Sequence, residues 1–529
     1  MAGRTTLFLI LLAAGACTDA SLYSIEGGGA NLPDRAGLEG VFCAPSPTGR
    51  HFPTRILFLV QGGAGVEPDV RSQVVGAIEA ALKRYTNPSI RYGLVAYNAF
   101  AFSQIPGGFG EPTKMATALA RYTSFSQDGP LSLANALHLA ESLTSGAMLG
   151  QCPGTRARTR YSVVLLAFEP DPTSSCGALP PDDPCVEAAA CAECLAVRQA
   201  ERIRDLEEKY GAGQITIQPL YVPLGEPDES ARRQAAVIAE AGGTRERVAD
   251  LAGLESALLG LNLAGLDRPV RLRTVVAFNR QARARAGELL PDSDGDGIAD
   301  GDEPGAGTDP GSSDTDGDGL LDGIELLVGL DPLVPDAIKG CTPGVDEDRD
   351  GLTSCEERLL GTEDCMGDTD GDGVPDLVEA LSGSNPLQHE QSLDTDRDGF
   401  PNLDELRWHT DPLSNDPAFA GSRAYTYQAE ELAPPPAGSA EAAADPCPGR
   451  PRYRVRFGNI GLVETRETPE REAGANDIYL YAVFAPEGDS GLGALARFRA
   501  EPVVFLAPST RRPPDPTIAL FEEDLETRP

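Results

Sequence analysis

Five short acidic segments carry the side chains best suited to chemistry in this chain. Each follows the pattern Asp-x-Asp-x-Asp-Gly-x5-Glu, which is the pattern of a calcium-binding loop. Numbered from the first aspartate, the candidate ligands at positions 1, 3, 5, 7, 9 and 12 are Asp292, Asp294, Asp296, Ile298, Asp300 and Glu303 in loop 1; Asp314, Asp316, Asp318, Leu320, Asp322 and Glu325 in loop 2; Asp346, Asp348, Asp350, Leu352, Ser354 and Glu357 in loop 3; Asp368, Asp370, Asp372, Val374, Asp376 and Glu379 in loop 4; and Asp394, Asp396, Asp398, Phe400, Asn402 and Glu405 in loop 5.

The spacing of these residues matches what a calcium ion requires. Aspartates at positions 1, 3 and 5 converge on one ion only if the chain wraps around it, and glycine at position 6 permits the sharp turn. A backbone carbonyl at position 7, a side chain or water at position 9 and a bidentate glutamate at position 12 complete an oxygen shell of the size that Ca²⁺ prefers over Mg²⁺. Ser354 and Asn402 are weaker ninth ligands, which act through water. We therefore predict five Ca²⁺ sites.

A run of like charges has a second interpretation, which is a disordered and solvated acidic segment. The constant register of the five loops and the apolar residue in each argue for a folded repeat instead. Without calcium the disordered interpretation becomes the correct one, because metal binding and folding are coupled when the site does not exist beforehand.

The net charge supports cationic partners. The 529 residues carry a formal charge of −37. Between Asp292 and Asp416 there are 35 acidic and 5 basic side chains, so this segment dominates the electrostatics. Such a balance argues against a nucleic-acid partner bound by a basic surface.

The elements upstream of the loops predict an α/β domain over residues 51–265. An apolar run at 55–60 ends in a glycine turn, and residues 70–85 then show helical spacing of apolar side chains. Strands follow at 92–102, 161–168 and 215–222, and helices at 131–143, 188–210, 231–241 and 251–261. This alternation predicts a parallel or mixed sheet covered by helices on both faces.

The same segment resembles a von Willebrand factor A domain in its strand at 56–60, its strand at 92–97 and its closing run at 239–254. The resemblance implies a doubly wound fold and, in many members, a divalent ion held by an Asp-x-Ser-x-Ser turn, a threonine and an aspartate. The corresponding positions in this chain are Gln61, Gly63, Gly65, Leu131 and Phe168. We therefore expect the fold without its adhesion-type metal site, because these residues supply too few oxygen ligands; Glu169 and Asp171 offer a minor route to a partial site.

The loops themselves resemble bacterial thrombospondin type 3 repeats, with Gly-Thr-Asp-Pro-like spacers at 307–310, 329–332, 383–386 and 410–412. They differ from paired EF-hands because the loop hydrophobe is at position 7, and Pro375 and Pro401 occupy position 8 of loops 4 and 5. The resemblance implies a calcium-stiffened stalk and no opening switch. Cys341, Cys355 and Cys365 flank loop 3 and are expected to staple it.

The first residues predict export. Arg4, an apolar run at 7–12 and small residues at 13–16 form a secretion signal, and Cys17 follows directly. Residues 12–17 resemble a lipobox, which implies lipidation of Cys17 and a membrane anchor; the alternative is an ordinary cleaved signal. The other ten cysteines are expected to form disulfides within an early and a late set, with Cys43–Cys152 as a pair, and a zinc site at 176–194 is the weaker alternative.

The predicted organisation is multidomain: a signal peptide (1–16), a tether (17–50), the von Willebrand A-like α/β doubly wound domain (51–265), a basic linker (266–291), the calcium-loop repeat segment (292–416), a Pro/Ala linker (417–450), a small C-terminal antiparallel β domain (451–507) and a flexible tail (508–529). Strict alternation at 452–457 and apolar runs at 477–484 and 502–506 indicate the strands of the β domain.

Three functions remain open from the sequence. The preferred one is a non-enzymatic, lipid-anchored surface protein of the outer membrane or cell surface, active in adhesion or as an envelope scaffold, with a protein partner for the A-type domain. The second is a structural calcium-dependent spacer that has no binding role. The third is an exported hydrolase with accessory repeats, which the absence of GxSxG, HExxH and GxxxxGK motifs makes the weakest.

Overall fold

A computed structural model describes a large part of the chain. The described residues are 20–24, 35–45, 52–63, 65–84, 89–172, 185, 191–261, 263, 270–285, 288–389, 394–397, 400–408, 412–413, 426–436, 438–439, 447, 449–468, 475–486, 494–500, 503–504 and 520–522. The signal segment 1–16 and Cys17 lie outside them, as do Asp398 and Gly399 of loop 5.

The strands are β1 (Ala20–Ser24), β2 (Arg35–Cys43), β3 (Thr54–Gln61), β4 (Ile90–Tyr97), β5 (Ala101–Ser103), β6 (Arg160–Ala167), β7 (Ile215–Tyr221), β8 (Arg247–Val248), β9 (Val270–Asn279), β10 (Ala282–Arg285), β11 (Glu288–Pro291), β12 (Thr426–Leu432), β13 (Arg452–Gly461), β14 (Ala475–Asn476), β15 (Ile478–Pro486), β16 (Ala494–Ala500), β17 (Val503–Val504) and β18 (Leu520–Glu522). The helices are α1 (Pro68–Lys83), α2 (Pro112–Thr123), α3 (Leu133–Leu149), α4 (Pro153–Arg158), α5 (Cys191–Tyr210), α6 (Glu229–Ala241), α7 (Leu254–Leu259), α8 (Glu303–Ala306), α9 (Asp322–Val328), α10 (Ser354–Leu360), α11 (Asp376–Ser382) and α12 (Asn402–Trp408).

The α/β domain contains a six-stranded sheet in the order β5-β4-β3-β6-β7-β8. Strands β4, β3, β6, β7 and β8 run parallel, and the edge strand β5 is antiparallel to β4. Apolar side chains of α1, α2 and α7 cover one face, and those of α3, α5 and α6 cover the other. Because the strands are buried on both faces, they appear in the sequence as continuous apolar runs. The predicted doubly wound α/β fold is confirmed.

Two four-stranded antiparallel sheets, β1-β2-β13-β12 and β18-β16-β15-β9, form a second unit that we call the β sandwich. Their inner faces share one apolar cluster, in which Leu38 and Phe42 of β2 and Phe457 of β13 meet Leu480 and Phe484 of β15. The unit is therefore assembled from both ends of the chain. The α/β domain is inserted between β2 and β9, and the acidic repeats (residues 292–416) are inserted between β11 and β12.

This assembly corrects three predictions about connecting segments. The predicted tether contains β1 and β2, the predicted basic linker contains β9, and the predicted Pro/Ala linker contains β12. The physical reason is long-range pairing: β2 and β12 both pair with β13, while β9 pairs with β15. The predicted flexible tail also contains β18, which pairs with β16.

The acidic repeats do not form a stalk. Alternate side chains of β15 point away from the sandwich core, and three of them, Tyr479, Tyr481 and Val483, pack with apolar residues of the repeats such as Leu352 and Val378. The outer face of one sandwich sheet is thus covered by the repeats, because otherwise these apolar side chains would be exposed to water. The predicted calcium-stiffened stalk is wrong in this respect.

The disulfides also differ from the prediction. Cys43 pairs with Cys447, and Cys152 pairs with Cys365, so both bonds join the early and late cysteines that were expected to pair separately. The predicted Cys43–Cys152 bond is wrong because β2 lies beside the C-terminal strands in the sandwich. The pairs Cys341–Cys355 and Cys185–Cys194 agree with a staple beside loop 3 and with disulfide bonding, not zinc binding, of these two α/β-domain cysteines.

Within the described residues, no helix combines the length and the apolar content that are needed to cross a bilayer.

Candidate metal sites

The acidic loops have one backbone conformation in common. The glycine at position 6 has a positive φ in each of the first four loops, with 109° at Gly297 and 107° at Gly351. Position 4 also has a positive φ, even where it is not glycine: Arg349 has 72° and Arg397 has 64°. A residue with a side chain seldom adopts this conformation. The sequence pattern did not predict the turn at position 4.

Backbone amides hold the first and fifth aspartates of loops 1 to 4. At position 1, one carboxylate oxygen accepts a hydrogen bond from the position 4 amide at 2.6–2.9 Å. Its second oxygen accepts one from the position 6 glycine amide at 2.8–3.1 Å. At position 5, one oxygen accepts from the position 7 amide at 2.7–2.9 Å. These bonds curl each loop and fix where its carboxylates point.

The aspartates at positions 1, 3 and 5 converge in each of these four loops. Each aspartate offers a carboxylate oxygen, and within one loop the three oxygens lie within 4.8 Å of one another. Three anionic oxygens at this separation repel one another unless a cation lies between them. Among the described residues, such convergence of acidic groups is found in loops 1 to 4; Asp394 and Asp396 of loop 5 are described without Asp398.

The glutamates at position 12 give the clearest indication of a missing positive charge. Glu303, Glu325 and Glu357 are each 0% exposed, and neither carboxylate oxygen of any of them accepts a hydrogen bond from the protein. An unpaired carboxylate in a buried site is strongly destabilising. A divalent cation bound by oxygens would compensate this charge, so the donor set fits a hard metal ion.

Burial and mutual repulsion raise the pKa values of these carboxyl groups when no metal is bound. Burial, followed by the charge of Asp348, raises the pKa of Glu357 to about 10. Burial, followed by the charge of Asp372, raises the pKa of Glu379 to about 11. In loop 1, burial and the charge of Asp292 raise the pKa of Asp296 to about 9. A bound cation would reverse these shifts, because it stabilises the ionised forms.

Position 9 makes contacts within its own loop. The side chains predicted there as ligands in loops 1, 2, 4 and 5 are bonded to the residue at position 2 of the same loop. In loop 3 the hydroxyl of Ser354 donates to the backbone oxygen of Val345 at 3.2 Å. These contacts join the two ends of the loop, and coordination by the position 9 side chains stays a prediction. At position 7 the side chains of Ile298, Leu320, Leu352 and Val374 are buried, and coordination by their carbonyls stays a prediction.

Two basic side chains from outside the repeats, Arg283 and Arg466, contact loop 1. Arg283 of β10 forms an ion pair with Asp292, with 2.6 Å between Nη2 and Oδ2, and both side chains are buried. Arg466 pairs with Asp300 at 3.2 Å between Nε and Oδ2. The basic composition around residue 280 was visible in the sequence, but its contact with loop 1 was not, since it depends on the fold.

Loop 3 is bound both to a neighbouring loop and to the sandwich. The backbone amide of Leu377, at position 10 of loop 4, donates to Oδ2 of Asp350 at 3.1 Å. The hydroxyl of Tyr481 in β15 donates to the backbone oxygen of Asp350 at 3.0 Å. The site in loop 3 is therefore linked to loop 4 and to β15.

The carboxyl edge of the α/β sheet, where the family resemblance would place a metal, contains an amide network. The Gln61 side-chain oxygen accepts hydrogen bonds from the backbone amides of Phe168 at 2.9 Å and Glu169 at 3.3 Å, and its nitrogen donates to Glu169 Oε2 at 3.2 Å. Asp171 accepts from the backbone amide of Leu133, at the start of α3, at 2.7 Å. Glu169 and Asp171, the two acids that could have formed a partial metal site, therefore each have a hydrogen-bond partner in the protein.

Comparison with known proteins identifies the repeated segment. The family model of the bacterial TSP3 repeat matches residues 292–310, 314–335, 368–388 and 394–415, which contain loops 1, 2, 4 and 5. The thrombospondin type 3 interpretation is confirmed for these four loops. Loop 3 falls outside the match. No curated protein sequence matches the chain.

Several solved structures share part of the fold. A von Willebrand factor type A structure from Catenulispora acidiphila is 14% identical over 52% of this chain and 57% of its own, with a TM-score of 0.30. The chain thus spans little more than half the length of that protein. A pilus adhesin from Lactobacillus rhamnosus GG is 12% identical over 51% of this chain and 38% of its own, with a TM-score of 0.31. The von Willebrand domain of a pilus tip protein from Porphyromonas gingivalis is 10% identical over 39% and 93%, with a TM-score of 0.28.

Proposed function

We propose that the chain is an exported protein that binds calcium in its five acidic loops and uses the bound ions to hold the repeats against the β sandwich. The observation that carries this proposal is the burial of three position 12 glutamates, Glu303, Glu325 and Glu357, whose carboxylate oxygens accept no hydrogen bond from the protein. The match to bacterial TSP3 repeats supports it independently.

Calcium is the proposed ion because of the donor set and the compartment. One oxygen each from the aspartates at positions 1, 3 and 5, two from the glutamate at position 12 and one carbonyl at position 7 provide about six oxygens, and this all-protein shell suits Ca²⁺ better than Mg²⁺, which keeps several waters. The residues that would hold the ion in loop 2 are Asp314, Asp316, Asp318 and Glu325, with Leu320 as the carbonyl donor. Extracellular calcium loops bind at roughly 10⁻⁴ to 10⁻³ M, so these sites would fill outside the cell.

Export and anchoring are proposed from the sequence together with the disulfides. Four disulfide bonds among the described residues suit an oxidising compartment. We propose that Cys17 carries a lipid that anchors the chain to the outer membrane or cell surface. Replacing Cys17 by alanine should release the protein from the membrane fraction, and retention of the variant in that fraction would contradict the anchor.

A protein-binding role for the α/β domain is supported by an exposed aromatic pair. Phe100 is 64% exposed and Phe102 is 49% exposed, beside the carboxyl edge of the sheet. Exposed aromatic side chains at such an edge are typical of partner-binding surfaces. We propose adhesion or envelope scaffolding as the role. Saturable capture of an envelope partner that is lost in a Phe100→Ser/Phe102→Ser variant would support it, whereas equal capture by both proteins would favour a spacer.

The metal proposal is tested most simply at loop 2. Glu325→Gln keeps the shape of the side chain but removes the charge that completes the site, so we expect calcium affinity at this loop to fall at least about 100-fold, or about 2.8 kcal/mol. Isothermal titration calorimetry on the full chain should then count one bound calcium ion fewer per chain, at concentrations that fill the other sites. Glu363→Gln, in an exposed spacer position, is the matched control and should titrate like the unmodified protein. Identical titrations for Glu325→Gln and the control would refute the assignment.

A further inference from the structure

The four loops that match the repeat family share a side-chain contact that is absent from the calcium-loop pattern. The hydroxyl residue at position 2 is bonded to the side chain at position 9, and we call this contact the clasp. In loop 2, Thr315 donates to the two oxygens of Asp322 from its backbone amide at 2.8 Å and from its hydroxyl at 2.6 Å. In loop 4, Thr369 donates to Asp376 in the same way at 2.8 and 2.7 Å.

Loops 1 and 5 have the same clasp with different residues. In loop 1, Ser293 donates to Asp300 from its backbone amide at 2.7 Å and from its hydroxyl at 2.9 Å. In loop 5, the backbone amide of Thr395 donates to the side-chain oxygen of Asn402 at 2.9 Å, and the Asn402 amide donates to the Thr395 hydroxyl at 2.8 Å. The contact therefore survives a change from carboxylate to amide, which indicates a role in closing the loop.

Loop 3 lacks the clasp but has a covalent bond in its place. Positions 2 and 9 are Glu347 and Ser354, and the Ser354 hydroxyl donates to the backbone oxygen of Val345 at 3.2 Å instead of to position 2. Cys355, at position 10, is instead bonded to Cys341, five residues before the loop begins. The backbone hydrogen bond that closes the loop is the same in loop 3. The position 9 amide donates to the backbone oxygen of the residue before position 1 at 2.7 Å in loop 3. The corresponding distances in loops 1, 2 and 4 are 2.9–3.1 Å.

We infer that the residues at positions 2 and 9 are positioning residues for calcium, and that the Cys341–Cys355 disulfide performs this function in loop 3. The clasp joins the start of the loop, which carries Asp at position 1, to the helix that carries Glu at position 12. Fixing these two ends lowers the conformational entropy that calcium binding must overcome. Calcium binding by loop 3 then depends on the oxidised disulfide, whereas binding by the other four loops does not. This inference rests on the proposed calcium function.

The test is calorimetric calcium titration of the full chain. Cys341→Ser/Cys355→Ser should weaken calcium binding at one site at least tenfold. At concentrations that fill the other sites, the titration should then count one bound ion fewer per chain. Adding Glu347→Thr and Ser354→Asp to that variant builds the clasp into loop 3 and should restore the ion. Cys185→Ser/Cys194→Ser removes a disulfide of the α/β domain and should leave the titration unchanged. Thr315→Val should weaken one site about tenfold, while Thr315→Ser should retain it.

The outcomes separate this inference from the function on which it rests. An unmodified protein that binds no calcium would overturn the proposed function itself. Calcium binding that is unaffected by Cys341→Ser/Cys355→Ser, or that is not restored by the added clasp, would overturn the role of the disulfide. Unchanged binding in Thr315→Val would overturn the role of the clasp.

Discussion

A calcium chelator is expected to unfold the acidic repeats and to destabilise the β sandwich beside them. At a calcium concentration 100 times the dissociation constant, one site contributes about 2.7 kcal/mol to the stability of the folded state. Five sites would contribute about 13 kcal/mol, which is as large as the whole stability of a typical domain, 5–15 kcal/mol. Without the ions, the buried glutamates at position 12 would have to stay protonated or the repeats would have to open.

The loss should extend beyond the loops because the repeats cover a sheet. Tyr479, Tyr481 and Val483 of β15 pack with Leu352 and with apolar residues of α11, so opening of the repeats exposes them to water. Excess EDTA should therefore lower the melting temperature of one calorimetric transition and increase the hydrodynamic radius. The α/β domain has its own two apolar clusters and should melt in a transition that is insensitive to calcium.

Two controls distinguish calcium from general charge screening. Magnesium at the same concentration should restore little of the lost stability, since it is the poorer fit to this donor set. Sodium chloride at equal ionic strength should restore little as well. Equal recovery with all three salts would indicate screening of an acidic chain and not specific sites.

The second large effect is expected from Arg283→Met. The Arg283 guanidinium is buried beside Asp292, and removing one partner of a buried ion pair typically costs about 3–5 kcal/mol, because the remaining carboxylate loses a compensating positive charge. Urea unfolding at fixed calcium should show this loss in the transition of the repeats and sandwich. Methionine retains much of the volume of the arginine stem, so lost packing should contribute little.

A neighbouring arginine provides the matched control. Arg285 lies two residues further along β10 and pairs with Asp302, but the two side chains are 55% and 46% exposed. An exposed ion pair contributes about 0–1 kcal/mol, so Arg285→Met should have a small effect. Equal losses for the two variants would mean that the buried contact of loop 1 with β10 is not what stabilises this region.

The sequence predicted best the features that depend on local spacing. The period of the aspartates and the glycine at position 6 predicted the first four loops, because a loop that wraps one ion is specified within twelve residues. The parallel sheet was predicted from its apolar runs. Helix α2 was missed although Met115, Leu119 and Tyr122 have helical spacing and Pro112 begins the helix, so that signal was present in the sequence.

Features that depend on distant partners were not predictable from spacing. Strand β2 was interpreted as a tether because its composition is rich in glycine, yet Leu38 and Phe42 alternate toward the sandwich core and pair with residues more than 400 positions later. The disulfide Cys43–Cys447 follows from that arrangement, and Cys152–Cys365 joins the start of α4 to the segment between loops 3 and 4. The ninth-position side chains were predicted as ligands from the loop pattern, which does not encode their bonds to position 2.

The central claim is that these loops are built around divalent cations, and calorimetric titration of the full chain with calcium tests it most directly. The full chain is needed because Phe278, Tyr479 and Tyr481 complete the apolar surface on which the repeats fold. We expect about five ions bound per chain, with a decrease in hydrodynamic radius as they bind. Zero or one bound ion, with an unchanged radius, would contradict the account.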